Sequence, residues 1–273
     1  MEKIFDTIIF SNELDLLEIR LNILHEHVDF FIIVEAGYTF QGNKKGFNFE
    51  LNKKKFKKFI DKIIYLKIHN FPDGHELFEC ESFQRNFINK ALSKNAIIND
   101  IIILSDVDEI PDPKFLNNLR IKKFKYPLLL KQSLFYYYIN LQCNELMDLP
   151  WSIIYRYSPE IEPQCMRDLI VSQQALIMGK EKNFKQEGFE FIDSAGWHFS
   201  YLGGAMAIKQ KLESFSHREL NKKEFSNIDY IDQIIKSQKD LFGRNLSFKK
   251  LKKIDFLPEY IKENLHKFQH LIC

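Results

Sequence analysis

Residues 101–111 read IIILSDVDEIP: four aliphatic residues, a serine, then three carboxylates within four positions, closed by a proline. Four consecutive aliphatic side chains make a strand that is buried on both faces, like the central strands of α/β sheets. The carboxylates must then stand where that strand leaves the core, at its carboxyl end. Extended-chain alternation sends Asp106 and Asp108 to one side and Val107 to the other. Two carboxylates on one side repel, and a divalent metal is one cation that would relieve the cost. The same letters also arise where a strand simply ends, because Asp bonds to nearby backbone and Pro stops the ladder.

The neighbouring pattern sets that strand in a layered fold. DTIIFS (6–11) reads as a first strand, followed by a helix with Leu14, Leu17, Leu21 and Leu24 at helical spacing behind a cap at Asn12. DFFIIVEA (29–36) and KIIYLKI (62–68) read as strands, and 75–94 as a helix with Phe83, Phe87, Ile88, Ala91 and Leu92 inward. PLLLKQSLFYYYIN (127–140) and SIIYRY (152–157) read as further strands, and 203–240 as largely helical. Strand, helix, strand, strand, helix, strand predicts an α/β fold, a mainly parallel central sheet with helices on both faces. Ligands bind such sheets outside the carboxyl ends of the strands, where the carboxylate cluster lies. No repeat or linker divides the chain, so one domain over 1–273 is expected.

Composition narrows the function classes. At 45% hydrophobic and 28% charged the chain is globular rather than disordered, and a formal net charge of +2 gives no broad attraction to nucleic acid or membrane. The basic run NKKKFKK (52–58) reads as a solvated helix face. Cys80, Cys143, Cys165 and Cys273 are scattered, with no Cys-x-x-Cys pair, and read as reduced packing residues. The opening MEKIFDTIIFSNELD does not read as a signal peptide, and no stretch has the ~18 apolar residues of a membrane span. A soluble, cytoplasmic protein without a transmembrane segment is expected. Neither a Gly-x-Gly-x-x-Gly fingerprint nor a P-loop is present.

Three metal-carboxylate chemistries compete for the cluster. An EF-hand loop fails, because its sixth position is Pro111 where glycine is needed. A phosphatase of the haloacid-dehalogenase type would use Asp106 as nucleophile and Asp108 as acid/base. That fold usually carries its motif near the N-terminus, whereas about a hundred residues precede it here. A nucleotide-sugar transferase would hold a metal on Asp106 and Asp108 against the leaving nucleoside diphosphate. A sugar-binding module that kept the fold without activity is a further alternative, disfavoured by the presence of both aspartates.

Eight blocks, in order along nearly the whole chain, carry a resemblance. SNELDLLEIRL (11–21), VDFFIIVEAGYTFQG (28–42), ESFQRN (81–86), LSDVDEIP (104–111), FYYYIN (135–140), AGWHFSYLGG (195–204), SFSHRE (214–219) and KDLFGR (239–244) resemble the bisecting-type β-1,4-N-acetylglucosaminyltransferases of glycosyltransferase family 17. The resemblance implies a GT-A fold, a UDP-sugar donor (UDP-N-acetylglucosamine), a divalent cation, Mn²⁺ or Mg²⁺, inversion at the anomeric carbon, and a glycan or glycolipid acceptor. Residues 1–111 would then form the nucleotide-sugar half and 112–273 the acceptor half with C-terminal helices.

It also suggests roles for single residues. His198 would join Asp106 and Asp108 on the metal or touch the diphosphate, the alternative being a packed core histidine. Trp197, with Phe199 and Tyr201, would form a sugar-stacking wall or pack in the core. Arg85 would position the nucleotide with its planar fork, or pair with Glu81 four residues earlier. Glu13 and Glu35, at the ends of the first two strands, would lie near the uridine or cap loops. Inversion needs a general base, for which Asp193 is the first choice and Glu213 and Glu219 are alternatives. Gln164 and Arg167 would contact donor or acceptor, or be loop residues.

Overall fold

The structure, a computed structural model, describes residues 2–72, 77–117, 119–120, 123–147, 149–179, 188–214 and 227–273. Its strands are β1 (Ile4–Phe10), β2 (Phe30–Ala36), β3 (Ile63–Ile68), β4 (Ile101–Leu104), β5 (Glu109–Pro111), β6 (Leu128–Lys131), β7 (Ser133–Tyr136), β8 (Leu141–Cys143), β9 (Pro150–Arg156), β10 (Glu190–Ile192), β11 (Gly196–Ser200) and β12 (Phe248–Lys250). Seven form a sheet in the order β10-β6-β9-β4-β1-β2-β3, and five form a second in the order β12-β8-β7-β11-β5. In the larger sheet β3, β2, β1 and β4 run parallel and β10 is parallel to β6, while β9 is antiparallel to both of its neighbours. The expected α/β architecture is present, with β9 as the antiparallel insertion.

The helices are α1 (Leu14–Leu24), α2 (Asn48–Leu51), α3 (Leu77–Asn86), α4 (Asn89–Asn95), α5 (Pro113–Leu116), α6 (Pro163–Ile177), α7 (Gly204–Ser214), α8 (Ile228–Ser237) and α9 (Glu259–Glu263). The helix expected over 75–94 is divided between α3 and α4. The NKKKFKK run lies largely in a 3-10 helix, Lys53–Lys62, that buries only Phe56 and Phe59. None of the helices is long and apolar enough to cross a membrane among the described residues.

Strand alternation splits the aliphatic residues between two cores. Ile101 and Ile103 join Phe31, Ile33 and Ile154 on the α1 side, while Ile102 and Leu104 join Ile32, Val34 and Ile153 on the other. Leu17, Leu21 and Leu24 of α1 cover the first face, and Ala91, Leu92 and Ile170 of α4 and α6 cover the second. Each such side chain contributes roughly 1.5–3 kcal/mol relative to exposure. That is why β4 cannot carry its apolar run past Leu104 into the carboxylates. The first core also takes Phe135 and Phe199 of the smaller sheet. The larger sheet places β10, β6 and β9 from the second half of the chain beside β4, β1, β2 and β3 from the first, so one sheet spans both halves.

One expected detail is corrected. The chain does not stay extended through Asp106-Val107-Asp108: it leaves β4 at Leu104, turns, and resumes as β5 in the other sheet. The carboxylates occupy the junction of the two sheets rather than one face of a strand. β5 pairs antiparallel with β11, setting His198 opposite Glu109 and Gly196 opposite Pro111. Gly196 is required there: its φ is +144°, and a Cβ would run into the carbonyl oxygen of Ile110.

Candidate active site

The junction turn is held by a buried arginine. Arg20 projects from the apolar face of α1 and is fully buried. Its Nε and Nη2 donate to Asp6 at 2.8 and 2.6 Å, and Nη2 also donates to Ser105 Oγ at 2.6 Å. Its Nη1 donates to the carbonyl oxygens of Asp106 (3.0 Å) and Glu109 (2.8 Å). One planar fork thus ties β1, the end of β4 and the start of β5. Glu109 closes the turn by accepting from the Asp106 amide at 2.7 Å.

The like-charge cost of the cluster is met by the protein's own cations. Asp106 lies between Arg85 (3.1 Å) and Arg167 (2.9 Å). Arg167 also grips both oxygens of Glu109, at 2.9–3.0 Å, and donates to Trp151 O. Asp108 Oδ2 faces Lys211 Nζ at 2.9 Å and His198 Nε2 at 3.8 Å. Burial pushes Asp108 up, but Lys211 and His198 outweigh it and hold the carboxyl below its ordinary range. Burial opposes ionisation of Asp106 too, and Arg167 and then Arg85 bring it down. Glu109 differs: burial pushes it up to about 7, Asp106 adds to the rise, and Arg167 offsets only part.

Asp108, Glu109 and His198, all buried, offer one ligand atom each within 4.8 Å of one another. His198 Nδ1 is buried without a hydrogen-bond partner, and its ring packs edge-on to Trp151 with centroids 4.2 Å apart. Two carboxylates and an imidazole make a mixed oxygen and nitrogen donor set of the kind Mn²⁺ accepts, so the residues fit a divalent ion. Asp106 is outside this cluster, turned to its two arginines. Lys211 stands on Asp108 where such an ion would approach.

The cluster forms the floor of a cavity of about 810 Å³, also lined by Glu13, Lys45, Trp151, Tyr201 and Arg244. Tyr201 reaches it from a left-handed backbone, φ +55°, just past β11. Of the expected site residues, Asp106, Asp108, His198, Glu13, Arg167 and Tyr201 line this cavity. Glu13 also accepts from the Ser11 and Asn12 amides at the entrance to α1. Arg85 is 2% exposed and acts through its partners Glu81, Gln164 and Asp106. Glu35 is buried and does not itself line the cavity; it accepts from the Asn48 and Phe49 amides, Tyr65 and the cavity-lining Lys45.

Trp197 does not join the wall: its Nε1 donates to Phe256 O at 2.7 Å and its ring packs against the first core, as Phe199 does. Asp193 is 78% exposed and paired with Lys131 at 3.0 Å, outside the cavity lining. Glu213 is half-exposed beside Lys209, and Glu219 lies outside the described residues. Arg167 sits not in a loop but in α6. Glu109, Lys211, Trp151 and Arg20 were not anticipated. For Arg20 a signal exists, since a lone charge among Leu17, Leu21 and Leu24 must find a buried partner.

The family model described as glycosyltransferase family 17 matches residues 1–273. The chain belongs to that family. Membership displaces the phosphatase alternative, and the two-sheet structure is the α/β class expected from the strand and helix pattern. Among curated proteins, the beta-1,4-mannosyl-glycoprotein 4-beta-N-acetylglucosaminyltransferases of Rattus norvegicus and Homo sapiens are each 27% identical to this family 17 chain over 116 residues. That match covers 40% of the chain and only 22% of either relative. Among solved structures, S. aureus TarS (residues 1–349) has a TM-score of 0.37 at 13% identity, covering 98% of this chain and 81% of that one. A mannosyltransferase from Pyrobaculum calidifontis, solved with GDP-Man and Mn²⁺, has a TM-score of 0.40 at 8% identity, covering 89% and 71%.

Proposed function

We propose that this family 17 glycosyltransferase transfers N-acetylglucosamine from UDP-N-acetylglucosamine to a glycan or glycolipid acceptor, with inversion and with a divalent cation, Mn²⁺ or Mg²⁺. The observation that carries the reading is the buried Asp108–Glu109–His198 cluster on the floor of the cavity. The activity named for the curated relatives supports the choice of donor sugar. An ion held by Asp108, Glu109 and His198 would supply charge neutralisation for the leaving nucleoside diphosphate. Lys211 would turn from Asp108 to a phosphate oxygen, and Arg167 would keep Glu109 and Asp106 in place. A general base must reach the acceptor hydroxyl from the face opposite the diphosphate. Outside the metal set, Glu13 and Glu81 are the carboxylates that line the cavity beside Asp106; Asp193 would have to reach in from outside.

The test needs no knowledge of the acceptor. Binding to the native state stabilises it by about 2.7 kcal/mol at a hundredfold excess over the dissociation constant. UDP with Mn²⁺ is expected to raise the melting temperature by roughly 5 °C, UDP with chelator to do little, and GDP with Mn²⁺ to do less than UDP. A melting curve unmoved by UDP plus Mn²⁺ or Mg²⁺ would overturn the reading.

Lys211 gives a second measurement. Unit charges 4 Å apart interact by about 4 kcal/mol at an effective dielectric constant of 20. An ion approaching Asp108 must therefore overcome the lysine already there. Lys211→Met is expected to raise Mn²⁺ affinity without nucleotide by about tenfold, a conservative share of that interaction. The same variant should bind UDP more weakly once Mn²⁺ is present. Calorimetric titrations check both signs; weaker Mn²⁺ binding by the variant would place the ion elsewhere.

A further inference from the structure

α6 presents a single stripe to the cavity: Arg167, Val171, Gln174 and, at its C-cap, Met178. The spacing i, i+4, i+7, i+11 is one helical face. At 1.5 Å per residue the stripe runs roughly 16 Å outward from the carboxylates. Only its inner end is charged. Gln174 Nε2 already donates to Pro150 O at 2.6 Å. Val171 and Met178 remain 52% and 40% exposed although both line the cavity.

The segments beside this outer stretch are aliphatic too. Leu146 and Leu149 lie just before β9, whose first residue is the one tied to Gln174. Leu246 is brought to the same place by the bond between Asn144 and its neighbour Ser247, at 2.8 Å. Two of the cavity's rings stand by the carboxylates: Trp151 lies against His198, and Tyr201 stands 5.2 Å from Lys211 Nζ. Along α6 the lining thus passes from the carboxylates and Arg167, past Trp151, to aliphatic side chains, with Arg244 at the edge beside Leu246. A bare sugar has no use for the aliphatic zone, since its hydroxyls would lose water without gaining partners there. An alkyl chain loses nothing and gains burial.

We propose that this outer zone binds an aliphatic aglycone, so that the acceptor is an amphiphile, a sugar carried on an alkyl or polyisoprenoid-like chain, rather than a free oligosaccharide. The word acceptor rests on the transferase reading above; the apolar subsite is read from α6 and the leucines alone. The probes are n-alkyl glucosides from butyl to decyl, each below its micelle concentration, titrated calorimetrically into protein with Mn²⁺ and UDP. Affinity is expected to rise with chain length, by up to about fourfold per methylene, and to level off once the stripe is filled. Val171→Asp and Met178→Asp should each weaken octyl glucoside at least tenfold while leaving Mn²⁺-dependent UDP binding unchanged. Ile97→Asp, at an apolar side chain that is 70% exposed and not part of the cavity, should change neither. Chain-length-independent binding, or equal losses in all three variants, would overturn the subsite even if UDP binds normally. Chain-length-dependent binding that Val171→Asp removes, in a protein that ignores UDP, would leave the subsite standing and overturn the transferase reading instead.

Discussion

Asp108→Asn is expected to lower turnover by about 10²–10³-fold, the scale lost when an electrostatic clamp on developing charge is removed. The readout is slow hydrolysis of UDP-N-acetylglucosamine to UDP, which requires no acceptor. Mn²⁺ affinity should fall with it, because Asp108 belongs to the buried cluster with Glu109 and His198. Relief of carboxylate repulsion would predict a more stable variant from the sequence alone. The structure reverses that sign: Asp108 is the partner of Lys211 at 2.9 Å, so the Asn variant should melt modestly lower. Asp106→Asn is the informative control. Its carboxylate lies between Arg85 and Arg167 rather than with Asp108, Glu109 and His198, so if the proposed site holds the ion that variant should retain most of its Mn²⁺ affinity. Equal loss of Mn²⁺ affinity in both variants would restore the Asp-x-Asp pair as the metal site. Near-normal donor hydrolysis by Asp108→Asn would remove the site altogether.

Arg20→Met carries the largest expected effect on stability. Arg20 and Asp6 are both fully buried, and breaking such a pair from one side costs about 3–5 kcal/mol. The substitution also removes the Arg20 donor from the carbonyl oxygens of Asp106 and Glu109, leaving them the Glu109 amide at 3.0 Å and the Ser152 hydroxyl at 3.5 Å. Arg20→Lys should recover little, since one ammonium cannot serve Asp6, Ser105 and two carbonyls in the plane of the fork. Urea titrations measure the loss. Asp6→Leu combined with Arg20→Met should regain part of it by removing the orphaned charge, without regaining donor hydrolysis. A single variant less than 1 kcal/mol below the parent, on the scale of an exposed pair, would show that the turn holds without Arg20.

The contrast between Arg20 and Trp197 shows what could be foreseen along the chain. A charge on the Leu17–Leu21–Leu24 face of α1 is legible as a buried anchor, although its partners are not. Trp197 and His198 were both expected at the site, yet neighbours on a strand face opposite ways. His198 lines the cavity, so Trp197 turns into the core beside Phe256. The ring that meets His198 comes instead from Trp151 on β9. Asp193 precedes the same block but lies in the connection between β10 and β11, where its carboxylate meets solvent and Lys131.

The sequence by itself determined that β4 is buried on both faces, that its aliphatic run ends at Leu104, and that three carboxylates follow at the carboxyl edge of an α/β sheet. Those facts depend on side-chain polarity and on the periods of strand and helix, which are written within a few residues. Only the tertiary structure decided what each carboxylate faces. The cations that answer Asp106 and Asp108 arrive from 21, 61 and 103 residues away, as Arg85, Arg167 and Lys211. Ion pairing depends on distance in space and on the local dielectric, and neither has a signature in local pattern. Two arginines flank Asp106, and β5–β11 pairing sets His198 opposite Glu109, which brings Asp108, Glu109 and His198 within reach of one another.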